Sequence, residues 1–259
     1  MSKRRRPPRG RQYHMRRRRK VKFILNILKI IILIAAVYSI LAFTPVLKLA
    51  NIYVKGINIV SSEEILSKAA ISSDINILRI NRGKTEKAIE EIPYVSDAQI
   101  KYKFPNNIKI VITEGSVYYA FKAENGYVNT DENLKILEIT DMPKVYPVIM
   151  DLNIQNFEAG EKLTIDETEK FDIILLYREI LNKHGILENI ELMYIEDYNL
   201  RFRLKDGATV ICGNVSDAER KIAALKASLD AFVEEGGEAP KTGSFDISDP
   251  DLVVYSIDG

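Results

Sequence analysis

The sequence is poor in the side chains that carry most enzyme chemistry. One cysteine, Cys212, stands among 259 residues, and histidine occurs twice. A lone cysteine excludes an internal disulfide, so packing alone must hold the fold. Zinc sites draw on several ligands, usually His or Cys, and the chain beyond residue 47 offers one of each. A His-centred triad has only His184 there, next to Gly185 at an expected helix end, where a cation complements the helix dipole and the role is structural. Cys212 alternates with apolar neighbours and reads as a small buried hydrophobe. Phosphate-cradling loops of the G-x-x-x-x-G-K-[ST] and G-x-G-x-x-G kinds are missing, and nucleotide chemistry with them. Acid pairs are present at Glu63-Glu64, Glu90-Glu91 and Glu234-Glu235. Each falls at a helix end or turn, a setting for solvated acids rather than for the paired carboxylates of a glycosidase. No catalytic, cofactor or metal residue is assigned.

Acids are also missing from residues 1–22, where twelve Lys or Arg stand. The chain holds 37 basic groups, so 25 remain beyond that tail against 36 acids, and the near-neutral total hides two halves of opposite sign. Directly after the tail comes FILNILKIIILIAAVYSILAF, 23–43, which as a helix spans roughly 31 Å, the thickness of a bilayer's hydrocarbon core. Asn26 and Lys29 in its first third move the expected span toward Leu47, with Lys29 snorkelling to the interface. The apolar run is longer than a signal-peptide core, and no A-x-A site follows it, so an uncleaved anchor is expected over residues 23–47. Basic residues stay on the cytoplasmic side, which places residues from about 48 onward outside the cytoplasm. Beside a span, the tail suits anionic lipid headgroups better than nucleic acid, and Tyr13 is its only aromatic.

Beyond Asn51 the period changes. Ile52, Val54, Ile57 and Ile59 form an extended pattern bent at Gly56, and Ser61 with Glu64 makes a capping box that opens a short helix. A second helix, about 84–92, stops at Pro93. Ala98, Ile100, Tyr102 and Phe104 alternate with Gln99, Lys101 and Lys103, and Ile108, Ile110 and Ile112 repeat the alternation after a Pro-Asn-Asn turn. Strand, helix, helix, strand, strand within about 65 residues predicts a compact α+β module. Farther on, Thr164 with Glu167 and Ser216 with Glu219 have capping-box spacing before helices running to about 183 and 234. The second of these helices carries an apolar stripe of Ala218, Ile222, Leu225, Leu229 and Phe232. Strands are expected at 117–123, 127–129, 134–138, 190–195, 200–204 and 209–212, with Asp206-Gly207 a hairpin turn, giving a mostly antiparallel sheet with flanking helices.

The stretches IYVKGINIVSSEEILSKAAI, NILRIN and IPYVSDAQIKYKFPNNIKIVITE, after one span and a basic tail, resemble the FtsQ/DivIB bacterial division proteins, whose first exported module is a POTRA domain. Val54, Gly56, Pro93, Val95, Ala98, Pro105 and Glu114 occupy the family's pattern; Gly115 and Ser116 depart from it where Arg and Pro are commoner. YVNTDENLKIL, VYPVI, FEAGEKLTIDE, the run through Gly213, Lys221 and Leu225, and SFDISDPDLVV continue the likeness to the end. The resemblance implies a single transmembrane helix, a POTRA domain over 50–117, a β domain over 118–235, and a loop with a C-terminal edge strand over 236–259. It further implies a non-enzymatic scaffold at the division septum, N-terminus cytoplasmic, that binds FtsL-like and FtsB/DivIC-like bitopic proteins and helps regulate septal peptidoglycan synthesis by FtsW and FtsI. The family's principal contact points to Phe245, Asp246 and Ile247, and to Val253, Val254 and Tyr255 after the Asp249-Pro250-Asp251 turn. Lys101 and Lys103 on the wet face of the hairpin are expected to meet partners such as FtsK. A membrane-anchored wall hydrolase or transpeptidase is the alternative, weakened by the absence of a histidine base in a suitable context.

Overall fold

The computed structural model describes residues 10–43, 47–155, 157–234 and 240–257. Residues 1–9 of the basic tail, 44–46 of the expected span, Glu235, and 236–239 of the expected loop lie outside them. Helix α1, Gly10–Phe43, contains one stretch, Lys22–Ile40, long and apolar enough to cross a membrane, and none of it is buried against the rest of the chain. Leu47, expected at the end of the span, is instead buried with Leu49 in the core that follows. Bilayer and core select the same apolar side chains, so hydropathy runs on across the boundary.

Strand β1 (Asn51–Lys55), helices α2 (Ser62–Ala69) and α3 (Arg82–Glu90), and strands β2 (Val95–Lys103) and β3 (Asn107–Glu114) make the first module, with one 3-10 turn, Ile77–Arg79, between the helices. Its sheet order is β1-β3-β2, β1 parallel and β2 antiparallel to the central strand. Ser61 caps α2, its side chain accepting from Glu64 N at 3.1 Å, as the capping box requires. Register aligns Val54, Ile110 and Ile100 in one row and Ile52, Ile108 and Tyr102 in the next, and these rows meet the helices. Phe104, expected on that buried face, is 65% exposed because the strand ends at Lys103 and the chain is already turning.

Glu114 closes the module. Its carboxylate accepts from the backbone N–H groups of Asn58, Ile59 and Val60 at 2.8 to 3.1 Å, fastening the last strand to the loop after β1. Burial works to raise its pKa, but those donors outweigh it and hold the carboxyl below its ordinary 4.5. The linked stability is therefore complete above that value and is lost as pH falls through the lower folded pKa. Glu114→Ala is expected to cost about 1 kcal/mol at pH 7, the net worth of hydrogen bonds whose donors, Val60 apart, lie at the surface. Urea titrations of both chains should show the gap narrowing as pH is lowered below 4.5.

The second module is a nine-stranded sheet with order β14-β13-β12-β11-β10-β7-β4-β5-β6. In chain order these are β4 (Tyr119–Ala123), β5 (Gly126–Thr130), β6 (Ile136–Thr140), β7 (Val148–Ile149), β10 (Ile190–Glu196), β11 (Asn199–Leu204), β12 (Thr209–Gly213), β13 (Ser244–Asp249) and β14 (Leu252–Ser256). A separate ribbon pairs β8 (Ile154–Gln155) with β9 (Thr164–Ile165). Pairing is antiparallel except at β10·β7, β4·β7 and β12·β13. Two-residue β7 joins the halves, with Ala120, Val148 and Leu192 in one row. Helices α4 (Thr168–Lys183) and α5 (Ala218–Glu234) cover one face, and the stripe from Ala218 to Phe232 packs there as expected. Neither expected capping box forms. Thr164 lies in β9, α4 starts without a side-chain cap, and α5 starts at Ala218 after Asp217 at φ +53°, with Ser216 N donating to Asn214 Oδ1.

Lys135, just before β6, crosses to the first module. Its ammonium donates to the carbonyls of Glu90, Ile92 and Val95 at 2.6, 2.8 and 2.6 Å, beyond the C-terminal end of α3. Desolvation pulls its pKa below the ordinary lysine value against the charges of Asp131 and Glu90. Beside it Gly160, at φ +95°, lies so close to Glu91 that a Cβ there would stand 2.4 Å from that residue's carbonyl oxygen.

Candidate partner-binding edge

The two C-terminal strands are held from behind by α5. Phe232 from that helix meets Phe245 and Tyr255 edge-on at 6.0 and 5.5 Å, and the Phe245 and Tyr255 rings lie 4.8 Å apart. Tyr255 Oη donates to Thr242 O at 2.9 Å. Asp249 Oδ1 accepts from Asp251 N, and Arg220 of α5 reaches Asp251 at 2.6 Å, tying the turn between the strands to the helix. Beneath them Lys221 is buried, its Nζ donating at 2.9 Å to Asn214 O, which also accepts from Tyr177 Oη at 3.1 Å. The loop leading from β12 into α5 is fixed by those two donors.

Strand β13 lies between β12 and β14 and is not an edge. Of the first expected trio, Phe245 and Ile247 are fully buried, and Asp246 is exposed with its carboxylate accepting from Ser248 N. The edge is β14. Val253 and Tyr255 of the second trio turn inward against the core, so the outward row is Leu252, Val254 and Ser256. Leu252 is 59% and Val254 43% exposed. Among the described residues no backbone group outside β13 bonds to β14, which leaves the alternate donors and acceptors of this five-residue strand that face away from β13 open to another chain.

The other sheet ends differ. Along β2, the N–H groups of Ile100 and Ala98 donate to the carboxylates of Glu86 and Glu90 at 2.7 and 3.3 Å, so α3 blocks that edge. The start of β6 is covered by residues 160–163, which exchange bonds with Leu134 and Ile136. Strand β1 is open but presents Asn51, Tyr53 and Lys55 outward. The rest of β6 is open with one exposed apolar side chain, Ile139, whereas β14 combines an open backbone with an outer row that holds both Leu252 and Val254. Lys101 and Lys103 are exposed on the face of the first sheet opposite its helices.

The groups considered for catalysis are engaged elsewhere. His184 ends α4 and lies 3.1 Å from Glu219, which also accepts from Lys183. Cys212 is buried in β12, where desolvation drives its thiol pKa far up. Glu63 and Glu64 lie in the first turn of α2; Glu90 and Glu91 end α3, the latter paired with Lys68 at 2.8 Å. Among the described residues no group of three His, Cys, Asp or Glu is placed to hold a metal ion. The carboxylate cover of β2, the half-buried amine of Lys135 and the buried amine of Lys221 escaped the sequence reading. For Lys221 the available signal was its spacing, three residues after Ala218 and four before Leu225, which puts it on the apolar stripe of α5.

Residues 47–114 match the POTRA domain, FtsQ-type. The chain is 25% identical over 197 residues to the cell division protein DivIB of Clostridium tetani, covering 74% of this chain and 73% of that protein. It is 25% identical over 170 residues to DivIB of Listeria monocytogenes, covering 64% and 62%, and 23% identical over 174 residues to the cell division protein FtsQ of Corynebacterium glutamicum, covering 60% and 78%.

Proposed function

Because the chain belongs to the FtsQ/DivIB family of cell division proteins, we propose that it acts as a non-enzymatic, membrane-anchored scaffold of the division machinery. In this reading the β14 edge receives an extended segment from FtsL-like or FtsB/DivIC-like single-span proteins, and through that contact the chain helps regulate septal peptidoglycan synthesis by FtsW and FtsI. Helix α1 holds it in the cell membrane at the septum, tail in the cytoplasm and both modules outside.

The observation that carries the proposal is the open, outwardly apolar edge of β14 at the end of a nine-stranded sheet. Strand addition satisfies main-chain groups on both sides and draws its specificity from alternate side chains, here Leu252 and Val254. A partner strand with apolar residues opposite them completes the row.

The test is affinity of the full chain in nanodiscs for the exported domains of the two partner types, wild type against a Leu252→Lys, Val254→Lys variant. Both substitutions point outward and leave Val253 and Tyr255 packed on α5, while edge lysines oppose strand addition. Lost burial of two apolar side chains predicts about 2 kcal/mol, roughly a thirtyfold weaker Kd. Unchanged affinity with native circular dichroism would exclude this edge.

A further inference from the structure

We propose that the membrane-proximal end of the POTRA sheet binds an anionic lipid surface, with Phe104 as an apolar tip and Lys101, Lys103 and Lys109 as the charged footprint behind it. The inference rests on α1 being a membrane span and is independent of what binds β14.

Three observations locate this end of the sheet at the bilayer. The chain enters β1 from α1, and Ala50 N donates to Asn106 O at 2.7 Å, which places the β2–β3 turn beside the entry point. Asn51 pairs with Asn107, and Asn107 with Lys103, so the start of β1 and the tip of the hairpin share one level. Tyr38, near the outer end of the apolar stretch, donates its Oη to Leu78 O at 3.3 Å, which brings the helix against the same end of the module.

The surface chemistry fits headgroups. Phe104 is 65% exposed at the turn, its ring 5.9 Å from that of Tyr102. Tyr53 is 46% exposed, with Lys103 Nζ 5.3 Å from its ring centre. Aromatic rings and lysines at one level are the composition of a bilayer interface. The helix-free face then carries Lys103 beside Asn107 and Asn51, and Lys101 beside Lys109 and Tyr53 in the next outward row. Rows of one face are about 7 Å apart, within the roughly 8 Å screening length of physiological salt, so all three lysines feel a surface that the tip touches. Lys55 lies one row farther and contributes little by the same measure. None of the three has a carboxylate partner among the described residues, whereas Lys48 is paired with Asp74 and Lys68 with Glu91.

The sequence contains no tryptophan, so Phe104→Trp supplies a reporter without background. The full chain carrying it is placed in nanodiscs of phosphatidylglycerol or of phosphatidylcholine, each with brominated acyl chains, and fluorescence quenching is read with and without a Lys101→Glu, Lys103→Glu, Lys109→Glu background. Expected is strong quenching in phosphatidylglycerol, with the docked-to-undocked ratio falling roughly fivefold for each basic group lost and falling likewise in phosphatidylcholine. Equal quenching in both lipids overturns the proposal without reliance on the triple variant's folding. A reporter left unquenched in phosphatidylglycerol also overturns it and leaves the lysine face to a protein partner. A chain that fails to co-elute with the discs overturns the anchored reading, and this inference with it.

Discussion

Gly56→Ala is expected to unfold or severely loosen the POTRA module. Gly56 has φ +87°, a region that L side chains rarely enter, and a Cβ there would stand 2.1 Å from the carbonyl oxygen of Ile112. That oxygen belongs to the central strand, so relief requires moving backbone between β1 and β3 rather than rotating a side chain. Strain of this kind costs about 1–3 kcal/mol before the steric clash is added, a large share of a small domain's stability. Hydrogen exchange should show β1 and β3 amides losing protection in the variant while those of β10 and β11 keep theirs. Wild-type protection along β1 would contradict the close approach.

The second large effect belongs to Lys135. Three carbonyls between the end of α3 and the start of β2 share one ammonium drawn from the other module, and hydrogen bonds to a charged group are worth about 1.5–3 kcal/mol. Lys135→Met keeps most of the apolar stem and removes every donor. Stability is expected to fall by about 2 kcal/mol, and the two modules to sample a wider range of orientations. Spin labels on Lys84 and Glu188, both solvent-facing, should report a broadened distance distribution in the variant. An unchanged distribution would mean that contacts such as Gly160 on Glu91 alone fix the junction.

Much of the fold could be read from periodicity, because each module hides one face of its sheet. Alternation at Ala98 and Ile100 and at Ile108, Ile110 and Ile112 found β2 and β3, and the stripe from Ala218 to Phe232 found the inner face of α5. The failures have physical causes. Phe104 continues the alternation by one residue after the chain has left the strand. Thr164 and Ser216 have the right spacing to an acid, but strand pairing with Gln155 uses the first, and the left-handed residue Asp217 separates the second from its helix. Strand order is set by nonlocal pairing, so no local pattern showed that β13 is internal and β14 the edge. The aromatic and aliphatic residues of both strands read alike in sequence, and only packing on α5 separates Phe245 from Val254. No local pattern placed the amines of Lys135 and Lys221, because a lysine scores as polar wherever it stands; the first is held by carbonyls about forty residues away, the second by the Asn214 carbonyl of the loop before its own helix.

Hydrogen exchange of the full chain in nanodiscs reads the individual backbone groups of β14 directly. With saturating FtsL-like and FtsB/DivIC-like exported domains, the amides of Leu252–Ser256 that face away from β13 should slow by at least about tenfold, because each gains an acceptor on the added strand. Unchanged exchange along β14 in a complex that has demonstrably formed would place the partner elsewhere and contradict the account.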